Sequence, residues 1–392
     1  MKNIVPKGYK KTKVGIYPDD WKEIEVSKYV IDKKKFCNND DIPLYSLTIE
    51  EGVVPKSQRY ERSHLVKDNE DAYKYVEYGD FVYNPMNLRF GALAVHNEEK
   101  EVKVSAYYDV FGIKNDKVNL EYLYAYLKSE RIMFYYNRMA TGSLEEKKRV
   151  HYKEFKKFKF PMPSLKEQEK IAQILTTCDE AITKQEELLK EKEQLKKGLM
   201  RNLLSGEVRF KIFDEDWKFI KLGDLLDYEQ PTQYLVSDTN YNDEYETPVL
   251  TAGKTFILGY TNETEGIFED NLPVIIFDDF TTATQFVDFP FKAKSSAMKI
   301  LKPKDKSVNV KLIYEIMQMI NFVADDHKRY WISEYQELEI KLPSKEEQLK
   351  ISEFLNTIND EINLLKNELE ELKLQKKALM QKLLTGQVRV KA

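Results

Sequence analysis

The chain has 392 residues, 42% of them hydrophobic, which is more than one ordinary core needs and predicts two domains with connectors. No run of about 18 apolar residues indicates a membrane span, and the basic N-terminal stretch shows no secretory signal. Cys37 and Cys178 are too few for a disulfide framework, so we expect a reduced, cytoplasmic protein. The net charge of −4 is uneven, because residues 213–342 carry 13 basic and 24 acidic side chains. Binding of nucleic acid there requires the basic side chains to be gathered on one face.

Residues 1–162 are predicted to form an α+β module. Segments such as YGDFVYNPMNLRFGALAVH and VSAYYDVFGIK are rich in β-branched and aromatic residues, with Gly and Asn between them, which predicts short strands joined by turns. Residues 120–139 have the periodicity of an amphipathic helix. The alternation of Phe158, Phe160 and Met162 predicts a strand that leads into the next element.

Residues 163–212 are predicted to contain one long helix. Ser164 and Glu167 have the spacing of a capping box, in which the serine oxygen accepts one backbone N–H and the glutamate reaches back to another. Gly206 ends the pattern as a residue that can adopt the left-handed cap conformation. The roughly 41 residues between the two signals predict a rod of about 60 Å, at ~1.5 Å per residue.

A second α+β module is predicted over residues 213–342, with the same edges as the first module and a different interior. Its start, DEDWKFIKLGDLL, resembles PDDWKEIEVSKYV at 18–30, so that Trp217 takes the place of Trp21, and we expect both to anchor cores. Residues 310–323 are predicted to be helical, and residues 327–344 align with 147–164. We interpret this as two recognition modules for two different targets.

Residues 343–392 repeat the long helix. At a constant offset of 180 and without a gap, 20 of 48 positions are identical between 163–210 and 343–390, and Ser344, Glu347 and Gly386 repeat the end signals.

Each long helix carries an apolar stripe with the 4-3 spacing of a coiled coil, so it needs a partner helix. We infer an intramolecular antiparallel pair, although the stripe alone equally fits a general dimerisation coiled coil. In the first copy, where the stripe is weaker, a flanking seam of Ile174, Ala181, Leu188 and Leu195 is expected to contribute. The stripe positions are Ile171, Leu175, Cys178, Ile182, Gln185, Leu189, Lys192, Lys196, Leu199 and Leu203, then Ile351, Leu355, Ile358, Ile362, Leu365, Leu369, Leu372, Lys376, Leu379 and Leu383.

Two variable modules, each followed by a copy of a PS-x-x-EQ-x-x-I…LL-[ST]-G-x-V-[RK] helix, resemble the specificity subunit of type I restriction–modification systems. The resemblance covers nearly the whole chain, and the helix repeats are its most specific part. It implies two target-recognition domains separated by two long antiparallel helices. It also implies that each domain recognises one half of a split double-stranded DNA sequence, and that the helices set the spacing and bind methyltransferase subunits.

The same resemblance implies that this chain is not catalytic and carries no cofactor. The methyltransferase subunits would bind S-adenosylmethionine and methylate adenine, and restriction subunits would cleave unmodified DNA. Because the two modules differ, the site is expected to be asymmetric. A structural coiled-coil scaffold whose modules bind proteins is the alternative, and the acidic second module is its best support.

Cationic side chains are the candidates for contacts with DNA phosphates, and polar side chains in loops are the candidates for contacts with bases. Lys148 and Arg149 correspond to Lys328 and Arg329 at the 180 offset, which favours them over an ordinary solvated charge run. The loop residues fit ordinary turn chemistry equally well. The phosphate candidates are Thr141, Gly142, Ser143, Lys147, Lys148, Arg149, Lys328 and Arg329, with a rim of Lys292, Lys294 and Lys299; the base candidates are Asn84, Asn87, Arg89, Thr281, Thr282, Thr284 and Gln285.

Catalytic motifs are weak or missing in the sequence. Asn84-Pro85-Met86 lacks the second proline and the aromatic residue of an amino-methyltransferase motif, and Asp278-Asp279 has no spaced Glu-x-Lys and is predicted to be a strand-end turn. The histidines and cysteines are scattered, and no P-loop is found.

Overall fold

The computed structural model describes residues 5–37, 39–56, 73–253, 255–324 and 329–391, and its chain divides into two compact units. The first unit comprises residues 1–186 with 368–392, and the second comprises residues 187–367. Each unit therefore holds one predicted module together with part of each long helix. The candidate Lys328 lies outside the described residues.

The first unit begins with a mixed set of short strands and helices. The strands are β1 Tyr9–Thr12, β2 Gly15–Pro18, β3 Lys22–Glu25, β4 Val30–Asp32, β5 Tyr45–Thr48, β6 Gly52–Pro55, β7 Tyr73–Val76, β8 Phe81–Tyr83, β9 Leu93–Val95, β10 Val102–Ser105, β11 Asp109–Ile113 and β12 Lys159–Met162, and the helices are α1 Leu120–Leu127, α2 Glu130–Met139 and α3 Tyr152–Phe155. A four-stranded antiparallel sheet has the order β4-β11-β8-β9, and β12 pairs with β3. The core packs around Trp21, Phe81, Phe111 and Phe155, all fully buried, so the predicted role of Trp21 is confirmed.

The predicted helix over 120–139 is two helices. The Asn119 side chain caps the start of α1 by accepting from the Tyr122 N–H, and Lys128 ends the helix. Ser129 then has extended backbone, and its Oγ donates to the Tyr126 carbonyl at 2.7 Å. A serine side chain that bonds the preceding turn offers the backbone an alternative to continuing the helix.

The first long helix, α4, covers Leu165–Ser205, and the elements of the second module follow it. The strands are β13 Lys218–Lys221, β14 Leu226–Glu229, β15 Thr247–Leu250, β16 Ile257–Thr261, β17 Val274–Asp278, β18 Thr284–Val287, β19 Lys292–Ala293, β20 Met298–Pro303 and β21 Glu339–Leu342, and the helices are α5 Leu222–Leu225, α6 Val310–Met317, α7 Tyr330–Ser333 and the second long helix, α8 Lys345–Leu383.

The second module repeats the connectivity of the first. Its antiparallel sheet has the order β14-β20-β17-β18, so the first, fourth, second and third strands along the chain are neighbours in both sheets. The edge strands also correspond, because β13 pairs with β21 as β3 pairs with β12. The interiors differ, since a three-stranded sheet β16-β15-β19 replaces the separate pairs β10-β7 and β5-β6. The predicted α+β class is confirmed.

The two long helices run antiparallel in each unit. In the first unit Glu167 pairs with Arg389 at 2.7 Å and Glu186 with Lys373 at 3.0 Å, and in the second Lys192 pairs with Glu361 at 2.6 Å and Arg209 with Glu347 at 2.7 Å. Partner numbers therefore fall along α8 as they rise along α4. All predicted stripe positions of both helices are buried or half-buried. The predicted flanking seam is wrong at two positions, because Leu188 and Leu195 are 39% and 53% exposed.

The helix ends follow the sequence signals in part. Gly206 and Gly386 have φ of 77° and 68°, so the predicted left-handed caps are confirmed. Ser164 Oγ accepts from the Glu167 N–H at 3.3 Å, which is one half of the capping box. The other half is replaced, because the Glu167 carboxylate accepts instead from Arg389 at 2.7 and 3.0 Å. Within the described ranges, no helix is long and apolar enough to cross a membrane.

Candidate nucleic-acid interface

Each module presents one β-hairpin at the same place in its sheet. In the first module the hairpin joins β8 to the edge strand β9, and in the second it joins β17 to the edge strand β18. The two tips are residues 84–92 and 279–283. A two-stranded ribbon is narrow enough to enter the major groove of DNA.

The first tip is closed by Asn84. Its Oδ1 accepts from the backbone N–H of Met86 at 3.0 Å and of Asn87 at 3.3 Å, which makes an Asx turn. The amide oxygen of Asn84 is therefore committed to the turn, and the partly exposed Asn87 is the better candidate of the two. Phe90 follows at the tip with 56% of its surface exposed.

Arg89, predicted to contact a base, is instead buried, and its hydrogen bonds connect two parts of the module. It is 9% exposed and donates to Asn137 Oδ1 at 3.2 Å and to Glu145 Oε1 at 3.0 Å. A buried guanidinium held by two acceptors cannot reach a ligand without breaking both bonds. Arg89 therefore leaves the candidate set and fixes the hairpin tip to the loop 141–149.

The loop 141–149 carries the predicted cluster of cations. Thr141 and Arg149 close it with two backbone hydrogen bonds of 2.9 Å, and a Cβ at Gly142 would meet the Lys148 backbone at 3.0 Å. Ser143 and Lys147 are exposed. Lys148 pairs with Glu145 at 2.5 Å, and the Arg149 guanidinium lies 5.8 Å from the ring centroid of Tyr107. Hydrogen bonds from Lys148 and Arg89 hold the pKa of the Glu145 carboxyl below its usual value, so Glu145 is a fixed negative charge beside these cations.

The second tip is closed by Asp278, as the sequence predicts for a strand-end turn. Its Oδ1 accepts from the Phe280 N–H at 2.8 Å and the Thr281 N–H at 3.1 Å. Thr282 has φ of 58°, which is uncommon for a β-branched residue and marks a tightly constrained turn. Phe280 is 39% exposed.

Both hairpins are anchored by equivalent residues of the lead-in segment. The Val150 N–H donates to the Pro85 carbonyl at 2.9 Å, and the Tyr330 N–H, at the 180 offset, donates to the Asp279 carbonyl at 3.0 Å. The residues just before these donors, Arg149 and Arg329, are therefore held next to the hairpins. Arg329 is exposed. The structure thus places a hairpin tip and an arginine together in each module.

Several predicted contacts in the second module have internal partners. Lys292 is 3% exposed and pairs with Glu263 at 2.9 Å, and Lys299 is 1% exposed and pairs with Asp279 at 3.1 Å. Thr284 is buried and accepts a hydrogen bond from Gln318. These three leave the candidate set, whereas Lys294 and Gln285 remain partly exposed. The buried pairs also show that some of the acidic charge of this module is neutralised internally.

Sequence reasoning missed the exposed aromatic side chains of these loops, Phe90, Tyr107 and Phe280. Each lies in a stretch of sequence whose other aromatic residues are mostly buried in the core, so the residue type alone does not distinguish an exposed aromatic side chain from a core one. Their signal is position, because each lies in a turn between predicted strands. Within the described part of the chain, no group of three or more His, Cys, Asp or Glu side chains could hold a metal ion.

Comparison with known proteins assigns the family. The sequence model of the type I restriction modification DNA specificity domain matches residues 19–194 and again residues 214–374. The chain belongs to the type I restriction–modification DNA specificity family, and it carries the domain twice.

The similar proteins agree with this assignment. The EcoR124I/EcoR124II specificity subunit of Escherichia coli is 48% identical over 168 residues, which is 41% of this chain and 42% of that subunit. A putative type I restriction enzyme specificity subunit (MjaX) of Methanocaldococcus jannaschii is 26% identical over 98% of this chain and 97% of its own length. The S subunit of a type I restriction–modification system from M. genitalium has a similar fold, with a TM-score of 0.56 at 15% identity over 93% of this chain and 96% of that one. The relatives from Escherichia coli and Methanocaldococcus jannaschii are named as specificity subunits, in agreement with the predicted specificity role, and the M. genitalium structure shares the fold.

Replacing Arg149 or Arg329 with alanine is expected to weaken DNA binding at every sequence. A cation that contacts phosphate releases counterions, so each substitution should reduce the slope of log affinity against log salt by about 1. The measurement is a salt titration of DNA binding by the full chain. Arg138→Ala, which removes an exposed arginine of α2, is the control and should leave the slope unchanged. An unchanged slope for both Arg149→Ala and Arg329→Ala would remove the arginines from the interface.

Proposed function

We propose that this chain is the DNA sequence-specificity subunit of a type I restriction–modification complex and that it recognises a bipartite, asymmetric site. Residues 1–162 and 213–342 form the two target-recognition domains, and each binds one half of the site. Residues 163–212 and 343–392 form the helices that set the spacing between the halves and bind methyltransferase subunits. The complex is cytoplasmic.

The observation that carries this proposal is that one frame holds two different interiors. Sheet connectivity, edge strands and the anchored hairpin with its arginine are repeated, whereas the tip residues differ between 84–92 and 279–283. Equal frames present the two tips to DNA in the same manner, and unequal tips contact different bases. A homodimer would place identical tips on both halves and would favour a palindrome.

The partners follow from the family. The relative from Escherichia coli is named as the specificity subunit of a type I restriction enzyme. We extend this to methyltransferase subunits, which bring S-adenosylmethionine and methylate adenine, and to restriction subunits, which cleave unmodified DNA. The repeated helices α4 and α8 suit such partners, because they are the part of the chain that stays the same while the modules vary.

The test is a map of methylated adenines in cells with and without this gene. Deletion is expected to remove one bipartite, asymmetric motif. Exchange of residues 22–160 for those of another member of the family should change one half of the motif and leave the other half and the spacing intact. A lost motif that is palindromic, or no lost motif, would contradict the proposal.

A further inference from the structure

We propose that Phe90 and Phe280 are both base-contacting residues, each of which packs against thymine methyl groups in the major groove of the half-site that its module recognises. The inference rests on the proposed function and adds to it the residue and the chemistry of one contact in each half.

The first support is that each module carries a phenylalanine in the same hairpin. The hairpins β8-β9 and β17-β18 join the second and third strands along the chain in sheets with the same order, and Phe90 lies five residues after the anchored Pro85 whereas Phe280 directly follows the anchored Asp279. Both hairpins accept a backbone hydrogen bond from residues at the 180 offset, Val150 and Tyr330. Aligned on the phenylalanines, the segments NLRFG (87–91) and FDDFT (277–281) share no other residue type, and the two phenylalanines are 280 − 90 = 190 residues apart, so their recurrence is not explained by the repeat at an offset of 180.

The second support is the exposure of both rings on rigid turns. Phe90 is 56% and Phe280 is 39% exposed, whereas the strand residues just before the turns, Tyr83 and Phe277, are fully buried. The turns are closed by Asn84 and by Asp278, each of which accepts two backbone N–H groups. A large apolar side chain held in water by a fixed turn gains free energy when a ligand covers it.

The third support is a side chain that packs on one face of the Phe90 ring. The Arg89 guanidinium lies 4.5 Å from its centroid, and Arg89 is itself locked by Asn137 and Glu145. One face of the ring is thereby covered and oriented, and the rest remains available to a ligand. In the second tip the backbone is constrained at Thr282, which has φ of 58°.

The chemistry that suits this arrangement is an apolar group displayed in a groove that admits a β-ribbon. In the major groove, thymine is distinguished by its C5-methyl group, which side chains recognise by apolar contact. Arg149 beside the first hairpin and Arg329 beside the second would each bind a phosphate next to the ribbon of its own module. A protein partner that covers the tips is the competing explanation, and the experiment below distinguishes the two.

The experiment uses the chain in its complex with methyltransferase subunits and a duplex that carries the mapped site. Each thymine is replaced in turn by uracil, which removes only the methyl group. For the unaltered protein, we expect at least one position in each half where uracil weakens binding about fourfold, the change that corresponds to one buried methyl group at ~0.8 kcal/mol. Phe90→Ala should abolish this discrimination in the half recognised by the first module, and Phe280→Ala should abolish it in the other half. Phe90→Leu, which keeps an apolar side chain, should retain part of it.

Matched controls are Phe134→Ala in α2 and Phe219→Ala in β13, which remove phenylalanines that are 65% and 63% exposed away from the tips. They should leave the thymine discrimination intact in both halves. The inference is overturned if Phe90→Ala and Phe280→Ala retain the discrimination, or if they reduce assembly with the methyltransferase subunits and leave DNA discrimination unchanged. If the methylation map shows no bipartite, asymmetric motif that depends on this gene, the proposed function itself is contradicted, because the uracil series needs such a mapped site.

Discussion

Replacing Leu365 and Leu369 together with aspartate is expected to unpair the two long helices and to abolish adenine methylation by the complex. Leu369 is 7% exposed and Leu365 is half-buried, and both belong to the stripe that faces α4. Truncating a buried leucine costs about 2–5 kcal/mol, and a carboxylate in the same seam adds the cost of desolvating a charge. The loss should appear as reduced helix content by circular dichroism, a lower melting temperature, and failure to co-purify with the methyltransferase subunits.

The chain offers a matched control on the same helix. Leu364 and Leu374 are 63% and 61% exposed, so replacing both with aspartate makes the same chemical change outside the seam. This variant should melt like the unaltered protein. If the Leu365/Leu369 variant also folds and methylates normally, the interpretation of the 4-3 stripe as the helix contact is wrong. If the control folds normally but does not assemble, the exposed leucines contact a partner.

The long helices show what sequence predicts well. Their stripe follows from a repeat that is local, regular and long, and the structure buries or half-buries all of its positions. All four flanking residues lie one residue before the stripe, at the side of the contact, and the contact covers Ile174 and Ala181 in part but leaves Leu188 and Leu195 exposed. Periodicity gives the direction of a face, and the width of the contact depends on what the partner helix places opposite.

The capping box failed in part for a related reason. A four-residue window predicts that Glu167 reaches back to its own cap, but Arg389, 222 residues away in sequence, donates to the same carboxylate. A guanidinium brings a full positive charge and two hydrogen bonds to a carboxylate, whereas the backbone N–H of the cap brings one hydrogen bond and no net charge. The Glu347 carboxylate likewise accepts from an arginine remote in sequence, since Arg209 donates to it at 3.0 and 2.7 Å.

The candidate site was predicted by residue type and corrected by burial. Arg89 and Lys292 have the right chemistry for DNA, yet both are buried and paired with carboxylates from other segments. Arg149 and Arg329 remain candidates, because each precedes the residue that anchors the hairpin of its module, and this anchor is repeated at the 180 offset. Exposure of an arginine depends on contacts remote in sequence, so spacing alone could not separate these two pairs.

The two arginine–glutamate contacts form a reciprocal pair. Arg209 follows the first long helix and binds the glutamate that starts the second, Glu347, whereas Arg389 follows the second helix and binds the glutamate that starts the first, Glu167. Each contact lies within one unit, and Glu347 and Glu167 are 1% and 4% exposed. We infer that each contact holds the end of one long helix against the start of the other, so that each module is closed by sequence from both repeats.

Arg209→Ala is therefore expected to lower the free energy of unfolding of the second unit. The substitution leaves the Glu347 carboxylate buried without the guanidinium that neutralises it, although the Trp217 N–H still donates to Glu347 at 3.2 Å. Adding Glu347→Gln should recover much of the loss, because the remaining group is then neutral. Lys221→Ala breaks an ion pair with Glu337 in which the two side chains are 48% and 58% exposed, so it should lower the stability less than Arg209→Ala does. Hydrogen exchange of peptides from residues 213–342 measures all three, and equal protection in Arg209→Ala and Lys221→Ala would show that the buried contact does not stabilise the unit.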